Sequence, residues 1–194
     1  MRKGSNDLVR NVRAALLVVA LMWAVFFLNA LFPPDFRQFG VVPRETDGLW
    51  GIFLAPFLHG NLNHLAANSG PLFVLLAVSL TFSRALTGKA LGAIVVVGGL
   101  GVWLFGRPHT VHIGASGVIF GLIGFLVFIG IFGRRWKTLV LSLVVFFAYG
   151  GVIMTLFIHM PGVSWSSHFW GFAAGILAAW WLARSRSARR RHRV

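Results

Sequence analysis

Six stretches of this chain are apolar for nearly the thickness of a lipid bilayer. They cover residues 14–32, 60–82, 90–105, 115–132, 139–158 and 164–183. A hydrocarbon core about 30 Å thick needs about 20 apolar residues in a helix, and a backbone inside it must satisfy its polar groups internally. Six such runs predict an all-α fold, a polytopic membrane protein with six transmembrane helices. Composition agrees. Hydrophobic residues make up 57% of the chain, charged residues 11%, and the mean hydropathy is +0.80. A soluble domain carries about 25% charged residues, so most of this surface has to face lipid. The first run does not read as a signal peptide, because its apolar core is long and Leu31-Phe32-Pro33-Pro34 follows it instead of a small-residue cleavage pattern.

Charge placement sets the predicted topology. Of the 18 Lys and Arg residues, 15 fall on the side that holds both termini, including the run from Arg184 to Arg193. Arg37, Arg44 and Arg107 are left for the other side. Cytoplasmic loops carry the excess of Lys and Arg, so both termini are expected in the cytoplasm. A net charge of +14 would suit nucleic acid. Here, however, the basic residues flank apolar runs and suit anionic lipid, and no nucleic-acid partner is expected. The chain reads as a basic cytoplasmic N-terminus (1–13), a six-span membrane domain (14–183) and a basic cytoplasmic tail (184–194). The long outer loop after the first run contains an apolar segment, 49–58, that is too short and too Pro-broken to cross. It is expected to lie in the interface or dip into the outer leaflet.

The acidic residues are Asp7, Asp35, Glu45 and Asp47, and none lies within an apolar run. Any chemistry in the membrane has to proceed without a buried carboxylate. That excludes the His-Glu-x-x-His arrangement of zinc proteases and the paired aspartates of aspartyl intramembrane proteases. With no cysteine, thiolate chemistry and disulfides are excluded as well. No metal or cofactor is expected.

The polar residues within the runs are the candidates that remain. His64 and Asn68 are four apart on the second span and share a helix face, which Asn61 extends. Such a stripe also serves as hydrogen-bonding glue between helices. Ser116 sits in Gly114-Ala115-Ser116-Gly117 at the start of the fourth span. A membrane serine often only bonds its own backbone, but free N–H groups at a helix start can hold an oxyanion. His168 sits in Ser167-His168-Phe169-Trp170-Gly171 on the sixth span, with Gly175 four residues beyond. It is either a packed structural residue or the base for Ser116. Spans two, four and six run in the same direction, and each candidate lies near the start of its span. All four are therefore expected at one depth near the outer face, where Asn61, His112, Ser166 and Ser167 could line a wet cavity.

Together these residues resemble the rhomboid family of intramembrane serine proteases, with a bacterial-type six-span core. The resemblance rests on His59, His64 and Asn68 at the start of span two, on Gly114-Ala115-Ser116-Gly117, and on His168-Phe169-Trp170-Gly171 with Gly175. It implies a Ser–His dyad in which Ser116 attacks the carbonyl and His168 acts first as base and then as acid. It implies that His64 and Asn68 stabilise the oxyanion, with His59, Gly114, Gly117, Phe120 and Gly171 in supporting roles. The implied substrates are transmembrane proteins, with membrane lipids as surroundings and the bacterial inner membrane as location. Two positions depart from the family pattern. Gly51 stands where an arginine often follows the loop tryptophan, and Phe120 stands where a tyrosine commonly stacks on the catalytic histidine. The rival reading is a rhomboid-like pseudoprotease that binds membrane helices without cutting them.

Overall fold

A computed structural model describes residues 2–158 and 164–191. The segment between the fifth and sixth apolar runs (159–163) and the end of the basic tail with Arg193 lie outside them. Seven α-helices follow one another among the described residues: α1 (Arg2–Leu31), the short α2 (Gly51–Leu54), α3 (Leu62–Ala93), α4 (Gly99–Phe105), α5 (Ser116–Gly133), α6 (Trp136–Met154) and α7 (Trp165–Arg191). A π-helical segment, Ile94–Gly98, joins α3 to α4. No β-strand is present among these residues, only a single bridge between Val41 and His112.

Four helical stretches are long and apolar enough to cross a membrane: Asn6–Leu31, Leu62–Phe105, Ser116–Gly133 and Trp136–Phe157. The second has 44 residues. Straight, it would measure about 66 Å, twice a hydrocarbon core. It is not straight. Ser83 leaves the helical region at φ −171° and ψ 110°. Across that break Ser79 Oγ and Thr87 Oγ1 lie 2.8 Å apart, whereas eight residues of unbroken helix rise about 12 Å. Both ends of the stretch also line one cavity, through Asn61 at one end and Arg107 just past the other. The chain therefore turns back on itself, giving spans two and three. The loop predicted over 83–89 is reduced to one residue, because Ser83 caps the returning helix by accepting from Leu86 N–H while its carbonyl takes the Thr87 hydroxyl.

The helices also sort by burial. In α5, Leu122, Ile123, Phe125 and Leu126 are fully buried. On α1 and α6 many large apolar side chains point outward, with Leu17 70% and Phe147 78% exposed. In water such faces would aggregate; in a bilayer they meet acyl chains. α5 is thus the central helix, and its closest neighbour is α7. Their contact is backbone on backbone: a Cβ on Gly171 would stand 2.1 Å from the Gly117 carbonyl oxygen, and one on Gly175 2.0 Å from that of Gly121. Small residues four apart let membrane helices approach this closely. Ser116 precedes Gly117, and His168 lies one helical turn before Gly171, so the glycine register decides where both stand.

The loop 32–61 packs as short turns and helices against the 106–115 loop. Val41 exchanges both backbone hydrogen bonds with His112, at 3.0 and 2.9 Å. Within the apolar segment, Ile52 and Ala55 are buried while Trp50 and Phe53 are exposed, an arrangement suited to an interfacial segment. Gly51 has a physical reason. A Cβ there would meet the backbone of Gly40 at 2.1 Å, so an arginine does not fit without moving the loop. Arg44 braces the loop instead. Its guanidinium donates to the carbonyls of Leu104 (2.8 Å) and Gly106 (3.0 Å), and its backbone N–H donates to Trp103 O.

Candidate active site

Ser116 is the first residue of α5, after Ala115 as N-cap. Gly114 precedes them at φ +110°, a conformation that L side chains rarely adopt. Its N–H is tied to Ala55 O at 2.8 Å. The N–H groups of Ser116 and Gly117 fall in the first helical turn, where no intrahelical acceptor exists. They remain available to an incoming oxyanion.

His59, His64 and Asn68 surround this turn. His59 Nδ1 faces Phe57 O at 3.4 Å. That assigns the ring proton to Nδ1 and leaves Nε2 to accept from Asn68 Nδ2 at 3.1 Å and from Ala115 N–H at 3.5 Å. One imidazole thus holds both the Asn68 amide and the turn before Ser116. His59 is 2% exposed and does not line the cavity that Ser116 lines. His64 is set by Asn61, whose side chain caps α3 by accepting from His64 N–H at 2.8 Å. Its ring lies against Gly114, where a Cβ would come within 2.7 Å of His64 Nε2. Gly114 is therefore needed for its backbone angle and for the space His64 occupies.

His168 lies in the first turns of α7 and is buried. Its ring stacks on Phe120, with centroids 4.2 Å apart and planes 17° from parallel. Phe120 comes from α5, one turn past Ser116, so the helix that carries Ser116 also orients the His168 ring. Ser116, His168, His64 and Asn68 all line one open cavity of about 980 Å³. Asn61, His112 and Ser166 line it too, as predicted. Ser167 does not. It borders a small apolar void of about 50 Å³ on the other side of Gly117, because its backbone carbonyl packs toward Gly117. Ser116 and His168 face the same space without a hydrogen bond between them among the described contacts. Catalytic hydrogen bonds often tighten only when substrate is bound.

A second polar chain escaped the sequence reading. Thr110 Oγ1 donates to Arg107 O at 2.6 Å and lies 3.0 Å from His112 Nε2. With its proton committed, Thr110 has to accept, so Nε2 carries the His112 proton and Nδ1 accepts from Ser164 Oγ at 2.6 Å. Ser164 in turn accepts from the Ser167 hydroxyl at 2.7 Å and caps α7 through Ser167 N–H at 3.2 Å. His112 therefore ties the loop before Ser116 to the helix that bears His168. Burial pushes His112 below its usual pKa, which keeps the ring neutral as this arrangement requires. The only sequence signal was a serine three residues before another serine at a span start.

The family model described as the Rhomboid domain matches residues 46–185. This chain belongs to the rhomboid family. The matched segment includes every candidate site residue, and the rhomboid fold accounts for the helical, membrane-integral bundle described above. An uncharacterized protein of Mycobacterium tuberculosis is 42% identical over 185 residues, covering 90% of this chain and 76% of that protein. A Bacillus subtilis protein provisionally named a rhomboid protease is 27% identical over 187 residues, 90% of this chain and 89% of its own. RHOMBOID-like protein 5 of Arabidopsis thaliana is 29% identical over 160 residues, 73% of this chain and 48% of its own.

Proposed function

We propose that this rhomboid chain is an intramembrane serine endopeptidase that cleaves transmembrane segments near the outer face of the membrane. The observation that carries the reading is the shared cavity. It brings a helix-initial serine with free backbone N–H groups together with a histidine held by ring stacking. Ser116 Oγ attacks the scissile carbonyl as His168 takes its proton. His168 then returns that proton to the leaving amine nitrogen, which leaves an ester on Ser116. Water in the open cavity attacks the ester with His168 again as base, and Ser116 is regenerated. The oxyanion meets the Ser116 N–H, the His64 ring and the Asn68 amide, whose second N–H is not used by His59.

No carboxylate holds His168, since none lies in a span. Orientation comes from the Phe120 ring, and the imidazolium has no ionic partner, so turnover is slow compared with a triad. The cavity is walled on one side by Ala67 and Pro71 of α3 and on another by Val152 of α6 and Thr155 just beyond it. This side is where a substrate helix would enter from lipid. In this reading residues 14–183 form the membrane domain between two basic cytoplasmic ends, in a bacterial inner membrane.

The test is labelling of the full chain in detergent by a fluorophosphonate. The expected result is a covalent adduct that is lost in Ser116→Ala, and cleavage of a membrane-span substrate that is lost in Ser116→Ala and His168→Ala. A folded wild-type protein that neither labels nor cleaves would instead be a helix-binding module.

A further inference from the structure

Three arginines stand on the outer side of the bundle, and two of them are committed. The Arg37 guanidinium lies on the Asp35 carboxylate, with Nε at 2.8 and 2.9 Å and Nη2 at 2.6 Å. This contact holds Asp35 down to about 2. Arg44 donates to the Leu104 and Gly106 carbonyls. Arg107 is different. Its carbonyl accepts from Thr110, but among the described residues its guanidinium has no hydrogen bond or ion pair.

The backbone beneath it is well held. Arg44 grips the residue before Arg107. Thr110 grips Arg107 itself, and His112 links Thr110 to Ser164 at the start of α7. A fixed backbone therefore presents an uncommitted cation. Arg107 also lines the cavity shared by Ser116, His64 and His168. Among the described residues no other Lys, Arg, Asp or Glu lines that cavity. One sign of charge at the mouth of a low-dielectric cleft concentrates ligands of the opposite sign. A guanidinium fork matches a carboxylate in shape as well as in charge.

We propose that Arg107 is a specificity-determining residue that receives a substrate carboxylate, an Asp or Glu in the extramembrane segment beside the cleaved bond. The proposal rests on the endopeptidase reading above. A lipid phosphate would satisfy the same guanidinium. The position of Arg107 on the wall of the reaction cavity favours the substrate.

The test uses the full chain in phospholipid-free maltoside micelles and transmembrane peptides identical except at one position. That position carries Asp, Asn or Lys and is moved through the first few residues outside the cleaved bond. At one position the wild type is expected to prefer Asp over Asn about fivefold in kcat/KM at low salt, with the preference fading in 1 M salt. Arg107→Ala brings the Asp/Asn ratio to within twofold of one. Arg107→Lys keeps part of it, and Arg107→Glu reverses it in favour of Lys. Each ratio is internal to one preparation, so a smaller folded fraction does not alter it. A wild-type ratio near one at every position, with cleavage intact, overturns this inference and leaves the endopeptidase reading standing. A ratio unchanged in Arg107→Glu also overturns it, as does an Arg107 effect that appears only when anionic phospholipid is added. If the wild type cuts no peptide and Ser116 does not label, the endopeptidase reading fails first and takes this one with it.

Discussion

The two flanks of α5 are built in opposite ways. Toward α7 the contact is glycine against carbonyl, with Gly171 and Gly175 pressed on the backbone of Gly117 and Gly121. Toward α3 and α6 the outer part opens into the large cavity, and α6 turns bulky side chains such as Phe147 away from the protein. The closed flank joins the two helices that bear Ser116 and His168, and the open flank is the cavity those side chains face. A dyad without a carboxylate depends on position, and position is most tightly held where backbones touch. A substrate helix needs the reverse, a seam with little to displace.

Substitutions at five positions test that contrast, and the largest effect falls on the closed flank. Gly175→Leu puts a side chain where even a Cβ meets a backbone oxygen. It is expected to cost about 3 kcal/mol or more and to remove Ser116 labelling, read by thermal unfolding in detergent beside the probe assay. A stable, labelling variant would show that the α5–α7 register does not set the site.

Phe120→Leu keeps most of the buried volume and loses the ring face under His168. Labelling of Ser116 should slow by about tenfold, since small misplacements of a catalytic group are costly. The stability change should stay below about 1.5 kcal/mol. Phe120→Tyr should label at close to the wild-type rate, and equal rates in all three proteins would remove the stack from the mechanism.

His112 and Ser164 join the two flanks at the outer end. Each alanine substitution removes a part-buried hydrogen bond and should cost about 1 kcal/mol. The double variant should cost less than the sum, because one bond is lost in both. The His112 pKa is lowered in the folded state, so the unfolded chain binds the extra proton. Stability from this group is therefore complete above the ordinary value of about 6.5 and is lost as pH falls from there toward the folded-state value. His112→Asn, which retains a group facing Ser164, should flatten that part of the pH–stability curve; an unchanged slope would place the titration elsewhere. The smallest effect is expected from Phe147→Ala on the lipid side, within about 0.5 kcal/mol by thermal unfolding. A large loss there would mean that the outward face of α6 is covered by protein.

Much of the candidate site was legible in the linear pattern because the membrane imposes strong rules. Six apolar runs mark the spans, and the bias of Lys and Arg gives the direction expected for them. Direction alone puts His64, Asn68, Ser116 and His168 at one depth. The pattern could not show that the segment between spans two and three is a break at Ser83, since hydropathy measures length and not turns. Nor could it assign His59, whose partner Asn68 is nine residues away but whose link to Ala115 spans 56.

Gly51 and Phe120 read as departures in the sequence and as fitted parts in three dimensions. Gly51 makes room for Gly40, and Phe120 provides the face His168 needs. The sequence by itself determined the solvent, the number of spans and which polar residues had to answer for the chemistry, because burying polar groups in hydrocarbon is too costly to be incidental. Tertiary structure alone decided which of them touch. Backbone contact between α5 and α7, the two histidine clamps and the uncommitted Arg107 depend on distances between residues far apart in the chain, and no periodicity encodes those.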